Sequence, residues 1–263
     1  MAETALADRA ALKRRGSARW ESSTFRIRAV TLVAILAAWE LLARSGLLYE
    51  DVVPPLEKVG VAFVHLLLGA ETYRHLGVTA WEVLTGFAIG FAAGVAFGVL
   101  VGARRFFGDA AQPYVDGFAT APKIIFLPIV MLAFGTGIAS KVALAALSAF
   151  FPVAINTAAG VRQIDSVLVR VGRSFRLTPL QMTFRIYLPA MRRSLVTSMR
   201  LGFGLAVIGC LLAEIKLSNA GLGHLAIEHY NNFRVPDLYA VLILVFVLAV
   251  GANTLMARLM PRY

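Results

Sequence analysis

Residues 162–193 read RQIDSVLVRVGRSFRLTPLQMTFRIYLPAMRR and lie between two long apolar stretches. The segment carries seven arginines and no apolar run long enough to cross a bilayer, which places it outside the hydrocarbon and, by its charge, on the cytoplasmic side. It has helical order. Ile164, Leu168, Val171 and Phe175 recur at steps of four, three and four, a spacing that puts them on one helix face and leaves Arg170, Arg173 and Arg176 off that stripe. Such a helix is suited to lie across a partner. Thr178, Pro179 and Gln181 then form a start signal, with a hydroxyl cap, a proline at the first helical position and a glutamine to complete a capping box. They predict a second short helix that ends at Leu188, before Pro189.

Outward from this segment, the chain is dominated by apolar runs. Its 263 residues are 59% hydrophobic and 16% charged, with a mean hydropathy of +0.73, which excludes an ordinary soluble domain and predicts an integral all-α membrane protein. Six spans are expected, at 27–48, 80–102, 112–134, 142–161, 194–215 and 238–259, preceded by a cytoplasmic tail over 1–26. With both termini inside, the inner segments hold 18 Lys and Arg and the outer ones six, namely Arg44, Lys58, Arg74, Lys141, Lys216 and Arg234. That bias agrees with the positive-inside rule. The net charge of +11 therefore reports orientation, and no basic stripe beside aromatic platforms points to nucleic acid.

Within the second span Gly86, Gly90, Gly94, Gly98 and Gly102 fall at every fourth position. In lipid such a ridge is a packing seam, because it lets another backbone approach closely. Pro113, Pro122 and Pro128 predict a kinked third span. Residues 50–79, with Leu56, Val59, Phe63 and Leu67 at helical spacing, predict an amphipathic helix on the outer surface. Trp39 and Glu40 suit an interfacial anchor. Cys210 is a single cysteine in an apolar run and reads as a packing residue. Neither His65 with His75 nor His224, Glu228 and His229 has metal-ligand spacing, so no metal or other cofactor is expected. The chain has no phosphate-cradling glycine loop and no nucleophile elbow, so neither ATP hydrolysis nor other enzymatic chemistry is expected of it. Lys123, Asn156 and Glu214 are the polar groups available to a translocation path.

The run RSFRLTPLQMTFRIYLPA at 173–190 resembles the coupling loop of bacterial ATP-binding-cassette importer permeases, whose pattern is Glu-Ala-Ala, three residues, Gly, nine residues, then Ile-x-Leu-Pro. Ile186, Leu188 and Pro189 match in type and spacing. Counting back, Arg170 stands in the glutamate place, Val171 and Gly172 in the alanine places and Arg176 in the glycine place, so the front half of the motif is degenerate. Residues 122–165 and 202–225 resemble permeases of the nitrate, sulfonate, taurine and pyrimidine-precursor importers. An Ala-Glu pair stands in those permeases where Ala213 and Glu214 do here. The resemblance implies a six-helix permease domain over 27–259 with a MetI-like, type I importer architecture in a bacterial inner membrane. It also implies ATPase subunits inside, a second permease subunit, identical or not, and a substrate-binding protein outside, with Phe175 and the motif residues facing the ATPase. A secondary carrier or channel is the alternative; it predicts inverted halves and intramembrane charged pairs.

Overall fold

The computed structural model describes residues 26–47 and 52–259, and among them every regular element is helical. The chain divides into two compact units, residues 1–62 and 63–263. In the first, α1 covers residues 26–44 and α2 begins at Leu56, ending at Leu68 in the second unit. Trp39 donates its indole N–H to the carbonyl of Pro54 at 3.0 Å, and Glu40 accepts from the backbone N–H of Leu56 at 3.0 Å. Glu40 thus satisfies an open donor at the start of α2. The residues expected as an interfacial anchor hold the turn that follows their own helix. Apart from Arg26, the expected N-terminal tail lies outside the described residues.

The second unit is built on three long helices: α3 (Ala70–Ala103), α6 (Ile138–Arg162) and α10 (Arg192–Leu217). Between them run α4 (Arg105–Thr120), a 3-10 turn (Lys123–Phe126), α5 (Leu127–Phe134), α7 (Ser166–Ser174), α8 (Pro179–Met182), a π turn (Thr183–Tyr187) and α9 (Leu188–Ala190). The unit closes with α11 (Leu222–Asn231) and α12 (Val235–Leu259).

The central helix is α6, and α3 and α10 make the most extensive contacts with it. The glycine ridge of α3 is the reason one of these contacts is so close. A Cβ placed on Gly86, Gly94, Gly98 or Gly102 would come 2.7, 2.8, 2.6 and 2.8 Å from the carbonyls of Val142, Phe150, Ala154 and Ala158, and one on Gly90 would overlap that of Ala146. Those carbonyls themselves recur every fourth residue of α6, so two matching ridges meet backbone to backbone. An adjoining side of α6 meets α10 at similarly close range. A Cβ on Gly202 would lie 2.6 Å from Val153 Cγ2, and one on Gly209 2.8 Å from the carbonyl of Leu144.

Among the described residues four helices, Ala70–Ala103, Ile138–Arg162, Arg192–Leu217 and Val235–Met256, are long and apolar enough to cross a membrane. The expected third span is broken. Residues 106–120 and 123–134 meet at a bend of 95°, and they make a fifth span only if counted together. The cause is local: Ala121 precedes Pro122 and takes an extended ψ of 134°, the conformation that a following proline imposes. Six spans are therefore four or five among the described residues. The first one expected, now α1, is a helix with Arg26, Arg28, Glu40 and Arg44 crowding its ends. The expected surface helix over 50–79 is also divided, because α2 stops at Leu68 and residues from Ala70 onward open α3, ten residues before the expected start.

If the seam holds the unit together, Gly94→Val forces a methyl-bearing carbon into the Phe150 carbonyl and should cost about 1–3 kcal/mol, lowering the thermal midpoint of the detergent-solubilised chain. Gly77→Ala, on the same helix but in open space, should leave the midpoint unchanged or raise it slightly.

Candidate functional site

The arginine-rich segment forms one end of the second unit. Asp165 starts α7 by accepting from the backbone N–H of Val167 at 2.8 Å. The helix then ends in a Schellman motif: the N–H of Leu177 reaches the carbonyl of Gly172 at 3.2 Å and that of Arg176 reaches Arg173 at 2.9 Å. The residue at the turn, Arg176, has φ of 52°, a left-handed conformation that glycine adopts without strain. The conformation that the glycine of the resembling motif permits is kept here by an arginine.

The capping box predicted at Thr178 is present. Its hydroxyl accepts from the N–H of Gln181 at 3.3 Å while the Gln181 side chain accepts from the Thr178 N–H at 2.9 Å. The second helix does not end at Leu188. It widens into the π turn at Thr183–Tyr187 and continues through Leu188–Ala190. Pro189 lacks an N–H and its ring needs room in the preceding turn, and a π turn placed there supplies that room.

Gly172 joins the two pieces. A Cβ there would lie 3.3 Å from Ile186 Cγ1 and overlap the Met182 sulfur, so α7 is seated directly on the residues that follow. Ile164, Tyr187 and Leu188 pack around Val99, Val161 and Met191, which ties the segment to the ends of α3, α6 and α10. The stripe expected to face a partner is open: Leu168, Val171 and Phe175 are 45%, 44% and 75% exposed. Arg170 and Arg176 are exposed as well.

The opposite end of the bundle holds a buried polar cluster. Glu214 is fully buried, accepting from the Thr79 hydroxyl at 2.6 Å and from the Gly223 N–H at 2.7 Å. The Leu222 N–H donates to Thr79 Oγ1 at 2.8 Å, and the Gly221 N–H to His75 Nδ1 at 2.9 Å. Three open donors at the start of α11 are thus satisfied by side chains of α3 and α10, with a carboxyl at the helix N-terminus. Gly221, at φ of 105°, is required twice over, because any Cβ there would collide with the Glu214 carboxyl.

Glu82 and Cys210 complete the cluster, the thiol lying 3.5 Å from a Glu82 oxygen. The Lys141 ammonium donates to the carbonyl of Leu217 at 3.1 Å and clamps the end of α10. Glu82 and Lys141 also line an open basin of about 700 Å³ with Arg74 and Lys216 at its rim.

The three polar residues expected along a path are not brought together. The Lys123 ammonium donates to the carbonyls of Phe118, Ala119 and Ala121 at 2.6, 3.0 and 2.8 Å and sits 5.0 Å from the Phe151 ring centroid. It caps the end of α4 at the break. Asn156 bonds back to the carbonyl of Pro152 at 2.8 Å within α6. His224 pairs with Glu228 at 3.6 Å and stacks near His75, while burial pushes the His229 imidazole below its usual range. Sequence reasoning missed α11, Glu82 and Thr79, and the part that His75 plays at the start of α11. Leu222, Leu225 and Ala226 do have helical spacing, but the glycines around them read as a loop.

Over residues 86–263 the chain matches the family described as binding-protein-dependent transport system inner membrane component. It is 33% identical over 230 residues to an Escherichia coli protein described as a putative aliphatic sulfonates transport permease, with 88% of this chain and 87% of the relative covered. A Synechocystis nitrate import permease is 27% identical, with 82% and 81% covered. Among solved structures, the inward-facing MetNI methionine ABC transporter matches with a TM-score of 0.59 at 21% identity, covering 75% of this chain and 97% of that one.

Arg176→Gly should relieve the left-handed strain and stabilise the turn by about 1 kcal/mol. Thr178→Ala removes the cap and should destabilise the second helix by about 1 kcal/mol. Amide hydrogen exchange across residues 174–182 reads both, with slower exchange in the first variant and faster in the second.

Proposed function

This chain belongs to the family of inner-membrane components of binding-protein-dependent transport systems, and on that premise we propose how its two ends divide the work. It is a transmembrane permease subunit of an ATP-driven importer. In our reading the 162–193 segment lies in the cytoplasm with both termini, and the permease domain runs over 27–259. The exposed stripe of Leu168, Val171 and Phe175 carries the proposal: it is apolar surface on a helix that the chain leaves uncovered, flanked by Arg170 and Arg176. That surface suits an ATPase groove with acidic walls.

Gly172, Ile186, Leu188 and Pro189 position this surface rather than contact the partner. Gly172 seats α7 on Met182 and Ile186, and the packing of Leu188 on the Val99, Val161 and Met191 cluster gives a displacement of the segment a rigid route into α3, α6 and α10. Two permease subunits, identical or not, enclose the path, and Lys123 and Asn156 are its polar candidates. Glu214 fastens the outer loop for the binding protein. The substrate is a small solute, either an anion of the sulfonate or nitrate class or a vitamin precursor, classes supported by the descriptions of the relatives.

Reconstituted with its ATPase and binding protein, the complex should take up an aliphatic sulfonate only with ATP. Phe175→Asp should reduce ATPase co-purification and uptake by at least about tenfold, the loss expected of a buried apolar anchor. Uptake driven by an ion gradient without ATP would overturn the importer reading. So would labelling of a cysteine at position 168 from the outside of intact cells.

A further inference from the structure

A crevice of about 540 Å³ separates α3 from the arginine-rich segment and is not used by the coupling reading. Its walls are Val99, Leu100 and Ala103 on one side and Leu177, Leu180 and Tyr187 on the other. Arg104, just past the end of α3, and Arg173, on α7, line the same space. Both are exposed, and neither meets a carboxylate in the described ion pairs. The Arg104 guanidinium lies 5.7 Å from the centroid of the Phe107 ring.

The depth of this crevice follows from its own residues. Arg104 cannot enter hydrocarbon cheaply, so it marks the headgroup level. Leu100 and Val99, four and five residues earlier on the helix, then lie roughly 6–8 Å deeper, where acyl chains begin. Two guanidiniums above an apolar slot, one wall of which is a spanning helix, are complementary to a phosphate joined to a hydrocarbon chain. A soluble protein surface would match the charges and leave the slot unfilled.

We propose that this crevice binds an anionic phospholipid, its phosphate held between Arg104 and Arg173 and its proximal acyl carbons against Val99 and Leu100. The inference rests on the cytoplasmic placement of the 162–193 segment proposed above. A bound lipid joins α7 to α3 where few side chains do, and so steadies the surface offered to the ATPase.

The test uses the full chain, delipidated in detergent and offered equal amounts of phosphatidylglycerol and phosphatidylcholine, with retained lipid read by native mass spectrometry. Phosphatidylglycerol should be retained preferentially, and its retention should fall about fivefold for Arg104→Gln or Arg173→Gln and roughly thirtyfold for both together. The paired Arg→Lys changes should keep it, as should Arg74→Gln at the other end of the molecule. Leu100→Trp fills the apolar wall, leaves both charges and should also lower retention. Equal retention of the two lipids, or undiminished retention in the double Gln variant or in Leu100→Trp, would overturn the proposal. Displacement of the lipid by inorganic phosphate at matched concentration would do so too, by assigning the site to free phosphate. Retention is measured without ATPase, so a failure of ATP-coupled uptake would overturn the importer reading and leave this result standing.

Discussion

The second unit depends on how closely α3 can approach α6. Lipid tails are as apolar as leucine, so helices in a bilayer gain little from hiding apolar side chains from one another, and contact distance decides how strongly they associate. Five glycines facing the carbonyls of Val142, Ala146, Phe150, Ala154 and Ala158 remove the α3 side chains along that ridge and leave only α6 side chains such as Ala145, Ala149 and Val153 against it. The groups at the two ends of the seam, polar at one and apolar at the other, act on a bundle whose spacing is already set. At one end Glu214, Thr79 and His75 fasten α11, and at the other Val99, Val161 and Met191 receive the arginine-rich segment.

That arrangement explains why this transporter subunit has so little free polar chemistry inside it. Lys123, Lys141, Asn156 and Glu214 all find partners within the fold, mostly backbone groups exposed by a helix end or a proline. The bonds of Lys123, Lys141 and Glu214 satisfy helix-end groups that hydrocarbon would leave unmet. In the function proposed above the chain is a scaffold moved by its partners, which fits a family defined by dependence on a binding protein.

Much of this was legible in the residues. The glycine repeat announced the seam because a period of four on a helix is one face. The Thr178 box and the stripe from Ile164 to Phe175 were readable because capping and amphipathicity are local. The failures were of a different kind. The break at Ala121 was anticipated only as a kink, since the sequence shows a proline but not whether the neighbouring turns can absorb it. Pro189 reads as a stop, but a π turn carries the helix through it. The carboxyl cluster was invisible, because Glu82 and Glu214 meet only after α3 and α10 have packed. Arg176 reads only as a departure from the glycine of the motif, and the structure shows the glycine conformation preserved at the expense of strain.

The central claim is that the arginine-rich segment and the glycine-seamed helices move as one body. Spin labels at position 180 in that segment and position 138 at the far end of α6 would measure this in the complete complex, nucleotide-free and trapped with ATP. The account predicts one unchanged distance in the two states, while labels on the two permease subunits change their separation. A distance from 180 to 138 that shifts with nucleotide as much as the intersubunit one would contradict it.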